Sequence, residues 1–318
     1  MTRVVAGIDI GGTNTKISLV DESGNVISKT VLATLNYPEA KIFAEAAVEE
    51  IDKLLLGARI NGRVAGVGIG APNGNYFKGT IEFAPNLKWK GVIPMTKLFE
   101  DSLHAPTIIT NDAKAAALGE MYFGAARELT DFIYITLGTG LGSGFVVNRK
   151  LVYGHDGFAG EFGHTIMIPH GRLCGCGRRG CLEQYCSATG IVKTYLELIK
   201  NSDAEGYNNL EISKIDSAHI YERALSGDED AFYAFNYTGE MLGLALANAV
   251  VVTSPQAIFL FGGVAAAGEL IFNPTIMSFE KNLMPIYRNK VKILPSGLPE
   301  NDCAILGAAS LIWDQLSN

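Results

Sequence analysis

Four side chains that bind soft metal ions lie within one stretch of the chain, Gly160–Glu183. They are His164, Cys174, Cys176 and Cys181. Three thiolates and one imidazole are a standard ligand set for a tetrahedral structural zinc ion. Gly175, Gly177 and Gly180 would let the short loop curl around one ion. A reactive dithiol or a disulfide is the alternative, but closely spaced cysteines in a chain without an apparent secretion signal favour zinc.

The same stretch carries two carboxylates, Glu161 and Glu183, which flank the four candidate ligands. With four protein ligands a zinc ion keeps no open position, so the expected role of the metal is structural. Cys186 and Cys303 stand apart from the cluster, and we expect them to be ordinary buried thiols.

Two glycine-rich turns follow apolar strands and have the composition of phosphate-binding tips. Val4–Ile10 runs into Gly11-Gly12-Thr13, and Phe132–Leu137 runs into a run of alternating glycines that begins with Gly138-Thr139-Gly140. Glycines allow phosphate oxygens to approach backbone N–H groups closely. Asp9, at the end of the first strand, could hold a hydrated Mg²⁺ ion. Taken alone, the first turn is equally consistent with a tight hairpin that carries a surface aspartate.

The two glycine-rich turns belong to segments with the same plan. Each segment has a strand, a glycine-rich tip, a returning strand, a turn and a third strand; the later strands are predicted at Lys16–Val20 and Val26–Ala33, and at Phe145–Val147 and Leu151–Tyr153. The repetition predicts two related α/β halves. We expect their glycine tips to face each other across a cleft and to hold one polyphosphate.

Asp112 follows a predicted strand, Thr107–Thr110, and precedes a predicted helix, Ala113–Phe123. Open α/β sheets bind their ligands at the carboxyl ends of strands, which would make Asp112 a functional residue. A carboxylate before a helix can also be an N-cap, and from this stretch alone the N-cap is the favoured role.

Asn86 and the pair Gly262–Gly263 each have two open interpretations. Asn86 lies in the loop Phe83–Trp89 and is either a turn residue or a partner of a sugar hydroxyl. The two glycines follow a predicted strand, Ala257–Phe261, and precede a helix predicted to begin at Val264–Leu270. They suit either the approach of a flat ligand such as adenine or close packing of that helix.

Helical spacing of apolar residues predicts the other elements that must position these groups. The predicted helices are Glu39–Leu56 with Gly57 as its C′ residue, Ala188–Ile199, Asp216–Leu225, Glu229–Val252 with Asp228 as its N-cap, and Ala304–Gln315. A further strand is predicted at Val64–Gly70, and the polar residues Asn201–Asn209 are predicted to form a loop.

Length and charge exclude several classes of protein. A chain of 318 residues suggests two domains, and 48% hydrophobic residues supply enough core for both. The formal net charge is −7 and the basic residues are scattered, which argues against a nucleic-acid surface. The most apolar region, Met241–Val252, is too short to span a bilayer, and no signal peptide is apparent. We therefore expect a cytoplasmic protein.

Taken together, these motifs resemble the ROK family of sugar kinases and sugar-responsive repressors. The resemblance covers almost the whole chain. The residues that carry it are Asp9-Ile10-Gly11-Gly12-Thr13 with Lys16, Asn111-Asp112, Leu137-Gly138-Thr139-Gly140, Gly160–His164 and Cys174–Glu183. It implies an actin-like (ribonuclease-H-like) α/β fold with two domains that flank a cleft. The implied domains are residues 1–112 plus 303–318, with the last helix returning to the N-terminal domain, and residues 113–302, which carry the zinc loop.

The resemblance also implies a role for each candidate residue. Asp112 would accept the proton of a hexose 6-hydroxyl, and the other hydroxyls would be bound by Asn86, Asn111, Glu161, His164 and Glu183. ATP and Mg²⁺ would be bound by Asp9, Gly11, Gly12, Thr13 and Lys16, by Gly138, Thr139 and Gly140, and by Gly262 and Gly263. His164 would place one ring nitrogen on zinc and the other towards the sugar. A homodimer is also implied.

The stretch Phe-Ala-Pro-Asn-Leu-Lys-Trp at Phe83–Trp89 looks most like the glucokinases of the family, so the expected reaction is ATP-dependent phosphorylation of glucose to glucose 6-phosphate. The alternatives are N-acetylmannosamine, N-acetylglucosamine, fructose or mannose as substrate. The sequence departs from the family at Phe261-Gly262-Gly263-Val264, where three consecutive glycines are usual, and this departure falls on the residues expected to contact the adenine.

Two alternatives to a kinase remain: a sugar-sensing repressor and a nucleotide-binding scaffold with an inactive site. A repressor needs a DNA-reading helix-turn-helix, normally ahead of the first strand, and only eight residues precede Asp9. Such a repressor would also have no use for a base at Asp112. These features favour the enzyme.

Overall fold

The computed structural model describes residues 3–202 and 211–317. Most of the predicted loop Asn201–Asn209 lies outside these residues. The exceptions are Asn201 and Ser202, which are helical, so the loop prediction is wrong for these two residues.

The described residues form a mixed α/β structure. The strands are β1 Val4–Ile10, β2 Asn14–Asp21, β3 Val26–Ala33, β4 Val67–Gly70, β5 Gly74–Asn75, β6 Thr80–Glu82, β7 Val92–Ile93, β8 Thr107–Thr110, β9 Phe132–Leu137, β10 Leu141–Val147, β11 Lys150–Leu151, β12 Ala257–Phe261 and β13 Lys292–Pro295. The α-helices are α1 Ala40–Gly57, α2 Met95–Leu103, α3 Asp112–Phe123, α4 Ala188–Ser202, α5 Ser217–Leu225, α6 Glu229–Thr253, α7 Glu269–Asn282 and α8 Cys303–Ser317.

Contacts between residues divide the chain into two compact units. Unit 1 comprises residues 1–130, 144–160 and 296–318, and unit 2 comprises residues 131–143 and 161–295. The last helix, α8, therefore belongs with the first strands. The domain boundaries expected from the family resemblance, after residues 112 and 302, stay a prediction.

Unit 1 is built on a five-stranded sheet with the order β3-β2-β1-β4-β8. Strand β1 is antiparallel to β2 and parallel to β4, which is parallel to β8. Side chains alternate between the two faces of such a sheet. On one face Ile8 and Ile69 join a buried core with Phe43 of α1 and Phe99 of α2. The parallel arrangement brings the carboxyl ends of β1, β4 and β8 to one edge.

Helix α8 packs on the opposite face of this sheet through two glycines. A Cβ atom on Gly68 would lie 1.8 Å from the carbonyl oxygen of Ala308, and one on Gly7 would lie 2.4 Å from that of Ile305. No side chain fits at either position, so the backbone of α8 lies directly on β1 and β4. A helix from the end of the chain thus completes the core begun by its first strand.

The second sheet has the order β11-β10-β9-β12-β13, and the boundary between the units falls within β10. In unit 2, β12 is parallel to both β9 and β13. Phe261 lies opposite Thr136, so the residues that follow β9 and β12 leave the sheet at the same edge.

The predicted strands at the two tips are confirmed, with shifted ends. β1, β3, β8, β9 and β12 have the predicted bounds, whereas β10 already begins at Leu141. Gly57 is the last residue of α1, so its predicted role as C′ residue is wrong. Asp228 is the N-cap of α6, as predicted, since its side chain accepts from the N–H of Ala231. Among the described residues, no helix has the length and apolarity to cross a membrane.

Candidate metal centre and phosphate-binding tips

The four predicted metal ligands converge in unit 2. The ligand atoms of His164, Cys174, Cys176 and Cys181 all lie within 4.8 Å of one another. His164 Nδ1 is 3.6 Å from Cys174 Sγ, and Cys176 Sγ is 3.6 Å from Cys181 Sγ. Ligand atoms on a tetrahedral zinc ion lie about 3.8 Å apart when each bond is about 2.3 Å. The donor set and its spacing therefore fit zinc, with movements of about 1 Å or less.

The local backbone explains how a short loop brings three thiols together. The N–H of Cys174 donates to the carbonyl of Arg178, and the N–H of Gly177 donates to the carbonyl of Cys174. Gly177 and Gly180 have φ angles of +84° and +83°, which side-chain-bearing residues adopt only under strain. Gly175 has no such φ angle and open space around it, so the loop does not require a glycine there.

Three adjacent thiols cannot all ionise easily without a cation. Burial raises the pKa of Cys174 to about 12, and a hydrogen bond to the Glu183 carboxylate contributes to the shift. Burial also acts to raise the pKa of Cys176, but hydrogen bonds from Arg178 and the neighbouring thiols outweigh it and lower the value to about 6. Metal uptake must therefore release protons from the thiols.

Glu183 contacts both the metal cluster and the second glycine tip. Its Oε1 accepts from the thiol of Cys174 at 3.3 Å, and its Oε2 accepts from the N–H of Leu141 at 3.3 Å. A Cβ atom on Gly140 would lie 2.6 Å from Oε2, so the glycine leaves room for the carboxylate.

The second tip turns its carbonyls inward and leaves two N–H groups for a ligand. Gly138 O accepts from the N–H of Ala188, and Thr139 O accepts from the hydroxyl of Thr189, both at 2.8 Å. Among the described residues, no acceptor is bonded to the N–H groups of Thr139 and Gly140. Thr139 is exposed. Neighbouring N–H groups in such a turn form an anion-binding concavity.

The first tip has the same character in unit 1. The N–H of Gly11 closes the turn on Asn14 O at 3.0 Å, whereas those of Gly12 and Thr13 find no acceptor within the described part of the chain. A Cβ atom on Gly12 would lie 2.5 Å from the backbone oxygen of Asn86. Position 12 therefore has no room for a side chain, because the predicted phosphate-binding turn lies directly against the loop that carries Asn86.

Asp9 and Asp112 lie at the same edge of the first sheet. Asp9 is in register with Gly70, which is in register with Thr110, and Asp112 begins α3 two residues later. Burial raises the pKa of Asp9 to about 6; the negative charge of Asp112 adds to the shift, and Lys16, opposite Asp9 on β2, opposes it.

Asp112 is not the N-cap of α3, contrary to the interpretation favoured for its own stretch. The N-cap is Asn111, whose Oδ1 accepts from the N–H groups of Ala113 and Lys114 at 3.0 and 3.4 Å. The Asp112 carboxylate is exposed and accepts from the N–H of Ala113. Loss of hydration raises the pKa of Asp112, and the hydrogen bond from Ala113 opposes that shift. Because Asn111 already caps the helix, the carboxylate of Asp112 is not needed for capping.

Each unit thus gathers part of the predicted site. In unit 1 the structure brings together Asp9, the first tip, Asn86, Asn111 and Asp112; in unit 2 it brings together Glu183, the second tip and the four metal ligands. The exposed Glu161 lies next to this second group, because the 3₁₀ helix Phe162–His164 follows it directly and the N–H of His164 donates to its carbonyl.

The similarity to known proteins decides the family. The model of the ROK family matches residues 5–315. The chain belongs to the ROK family. A glucokinase of Streptomyces coelicolor is 35% identical over 312 residues, which cover 96% of each chain.

A solved ROK-family glucokinase of Streptomyces griseus, in complex with glucose and AMPPNP, is 36% identical and has a TM-score of 0.77, with 97% of this chain and 98% of that chain covered. The family also includes regulators. A xylose repressor of Caldicellulosiruptor bescii is 32% identical over 259 residues, which cover 80% of this chain and 64% of the repressor. The fold is the actin-like α/β fold of ROK kinases.

Gly262 and Gly263, where the sequence departs from the usual ROK pattern, have different surroundings. Gly262 has a φ of +101°, and a Cβ atom there would lie 2.6 Å from Leu137 O. The fold alone therefore requires this glycine. Nothing lies within 4 Å of a Cβ atom on Gly263, which leaves its surroundings open for a ligand. Val264, in place of the third glycine, is buried.

The sequence did not reveal Ala188 and Thr189 as part of this ROK site. Both lie at the start of α4 and donate hydrogen bonds to the carbonyls of the second tip. The only signal was the position of a small polar residue at a predicted helix start. Cys186 is a buried thiol, as predicted, with its sulfur 3.5 Å from Thr238 O.

Proposed function

We propose that the protein is an ATP-dependent hexokinase that phosphorylates the 6-hydroxyl of a hexose, with glucose as the first choice. The observation that carries the proposal is the exposed carboxylate of Asp112, which has a raised pKa. It lies beside Asp9, at the edge of the sheet where β1 runs into the first tip. Membership of the ROK family and similarity to glucokinases over nearly the full chain support it.

Asp112 is proposed as the general base. It would accept the proton of the attacking hydroxyl, and a raised pKa makes a carboxylate a better proton acceptor near neutral pH. Phosphoryl transfer otherwise asks the protein for positioning and charge neutralisation. Asp9 and Lys16, with the backbone of Gly11, Gly12 and Thr13, are proposed to bind the Mg²⁺ and phosphates of ATP.

The remaining nucleotide contacts are proposed in unit 2. The second tip, Gly138, Thr139 and Gly140, would bind phosphate oxygens through the N–H groups of Thr139 and Gly140, and Gly262 and Gly263 would lie against the adenine. This assignment is supported by the unbonded N–H groups of the second tip and by the open space at Gly263.

The hexose hydroxyls are proposed to be bound by Asn86, Asn111, Glu161, His164 and Glu183. Asn86 has an exposed side chain, and Asn111 uses its Oδ1 for the helix cap but keeps its Nδ2 group as a donor. His164 directs Nδ1 to the thiol cluster, which leaves Nε2 for a sugar hydroxyl.

The metal is proposed to be a structural zinc ion held by His164, Cys174, Cys176 and Cys181. Zinc would supply no chemistry to the reaction and would fix the loop that carries His164 and Glu183. We expect elemental analysis to find one zinc ion per chain. Cys176→Ser should lose most of the metal and weaken glucose binding, whereas Cys186→Ala, outside the cluster, should keep both. A Cys176→Ser variant with full metal and full sugar affinity would contradict the proposal.

The function is tested by incubating the purified protein with Mg–ATP and single hexoses and measuring ADP release. Glucose, N-acetylmannosamine, N-acetylglucosamine, fructose and mannose form the panel. Glucose is expected to give the highest kcat/KM. A different preferred hexose would correct the substrate, and no sugar-dependent ADP release from any of them would reject the kinase.

The second candidate is a sugar-sensing regulator, favoured by the similarity to the xylose repressor. Such a protein would bind sugar without consuming ATP, so the same ADP assay separates the two functions. The net charge of −7 gives no support to binding of nucleic acid. A cytoplasmic location and a homodimer stay predictions from the sequence.

A further inference from the structure

The segment Cys181–Thr189 joins the metal cluster to the second glycine tip by a short chain of contacts within unit 2. Cys181 is one of the four metal ligands and is buried, as is Leu182. Two residues after Cys181, Glu183 accepts from the N–H of Leu141 at the base of the tip. One short stretch of backbone therefore carries both a metal ligand, Cys181, and a side chain that contacts the base of the tip, Glu183.

The far end of this segment holds the tip itself. The N–H of Ala188 donates to Gly138 O, and the hydroxyl of Thr189 donates to Thr139 O. The hydroxyl of Ser187 links the two ends of this part of the segment. It donates to Glu183 O at 2.7 Å and accepts from the N–H of Gly190. The segment thus behaves as one piece that is anchored at the metal cluster and binds both tip carbonyls.

The direction of these contacts matters for a nucleotide. Because the carbonyls of Gly138 and Thr139 are bound to the segment, the N–H groups of Thr139 and Gly140 point away from it and have no acceptor among the described residues. A tip that lost those contacts could rotate its peptide groups and present oxygens instead of N–H groups. A phosphate binds the first arrangement and is repelled by the second.

We propose that the metal at His164, Cys174, Cys176 and Cys181 positions the second tip through Cys181–Thr189, so that metal binding and nucleotide binding strengthen each other. The inference rests on the proposed kinase function and gives the metal a role on the nucleotide side in addition to the sugar side. In it Glu183 and Thr189 are positioning residues for the tip.

Mutual strengthening is a thermodynamic coupling and must be reciprocal. If the metal raises the affinity for nucleotide by some factor, nucleotide raises the affinity for the metal by the same factor. Couplings between sites commonly amount to about 5- to 150-fold. We expect at least about fivefold here, because three tip contacts depend on a segment whose first residue is a metal ligand.

The experiment measures the Kd for ADP, in buffer with magnesium and without sugar, on zinc-loaded and zinc-stripped protein by calorimetry. In parallel, the Kd for zinc is measured by competition with a chromophoric chelator, with and without saturating ADP. ADP should bind at least about fivefold more tightly to the loaded protein, and ADP should tighten zinc by the same factor. Equal ADP affinities, within twofold, would overturn the coupling.

A pair of variants locates the coupling. Thr189→Val removes one of the three tip contacts and should reduce the coupling factor by at least about twofold, the lower end of the usual worth of one hydrogen bond. Thr165→Val is the matched control, since its hydroxyl donates over the same 2.8 Å to Phe162 O, close to the cluster but away from the tip. The control should keep the wild-type coupling. Equal losses in both variants would reject the assigned route.

The rate of zinc release and the presence of any ADP binding decide the cases in which the main comparison fails. If stripped protein unfolds, the rate at which loaded protein releases zinc to the chelator decides instead: ADP should slow release, and an unchanged rate would overturn the coupling. If loaded protein does not bind ADP at all, the proposed kinase function fails along with it. Tight ADP binding that ignores the metal rejects the coupling alone and leaves the kinase standing.

Discussion

Asp112 and Asp9 are neighbouring carboxylates with different surroundings. Loss of hydration raises both pKa values, but only Asp9 has a lysine opposite it on the neighbouring strand. The backbone N–H of Ala113 fixes the Asp112 carboxylate at the start of α3. These surroundings support the proposed roles, in which Asp112 would take a proton from the substrate and Asp9 would hold a hydrated cation.

Asp112→Asn is expected to lower kcat by at least about a hundredfold, because an amide cannot accept the hydroxyl proton. The fold should survive, since the variant keeps the size of the side chain and the N-cap at Asn111. Steady-state kinetics with ATP and glucose, together with far-UV circular dichroism, measure the two effects. Near-normal turnover in a folded variant would remove Asp112 from its proposed role.

Asp9→Asn is expected to stabilise the protein at pH 7.5 in the absence of ligands. The folded pKa of Asp9 is about 6, above its ordinary value of 3.8, so the folded state holds the proton longer than the unfolded chain does. Stability is therefore lost as pH rises from about 4 to 6 and stays lost above that range. Each pKa unit corresponds to about 1.4 kcal/mol, so the shift from 3.8 to about 6 sets an upper limit of about 3 kcal/mol on the gain.

Urea denaturation of wild type and Asp9→Asn at several pH values measures this effect. The stability difference should shrink towards zero near pH 3.5, where the carboxyl is protonated in both states. The variant should also lose most of its activity with Mg–ATP. A variant that is less stable than wild type at pH 7.5 would show that Asp9 is not held in an unfavourable environment.

At the scale of the element, the start of α3 shows what a sequence pattern can and cannot decide. The strand, the helix and the two polar residues between them were all predictable from composition and spacing. Which of Asn111 and Asp112 caps the helix was not, because both residue types are good N-caps and the choice depends on where the strand releases the chain. The structure gives the cap to Asn111.

Asn111→Ala is expected to cost about 1 kcal/mol of stability, the usual effect of removing an N-cap. Asn111→Asp is the matched variant: it keeps the capping oxygen and should keep most of the stability. It also replaces the Nδ2 donor with a third carboxylate near Asp9 and Asp112, so its kcat/KM for glucose should fall. Urea denaturation and kinetics on both variants separate capping from binding; unchanged kinetics in Asn111→Asp would limit Asn111 to the cap.

The other elements also fall into those that the local sequence predicts and those that depend on distant contacts. Strands flanked by glycines, such as β1, β9 and β12, were predictable to the residue, because the apolar run and its stop are both local. The second tip was predicted to be longer than it is, since Leu141 already pairs as a strand in spite of the glycines around it. The hydrogen bonds from Ala188 and Thr189 to that tip join residues some fifty positions apart, and no local sequence pattern encodes them.

At the scale of the whole molecule, the chain closes unit 1 by returning to its first strands. The family resemblance implied that the last helix returns, and the structure gives the physical means: β1 and β4 carry glycines where the backbone of α8 lies on them. Sequence alone could not assign Gly7 and Gly68 to this task, because glycine within a strand also suits a bulge. The α8 residues that they contact, Ile305 for Gly7 and Ala308 for Gly68, lie roughly 240 to 300 positions further along the chain.

Gly68→Ala is expected to lower the free energy of unfolding by about 2–3 kcal/mol, towards the upper end of the cost of overpacking. The new methyl group would lie 1.8 Å from Ala308 O, a backbone atom that moves only if α8 shifts as a whole. Gly57→Ala is the matched control, since that glycine is exposed at the end of α1 and has nothing within 4 Å. The control should be neutral or stabilising by up to about 1 kcal/mol. Urea denaturation measures both variants, and equal stabilities would mean that α8 does not lie against β4 in solution.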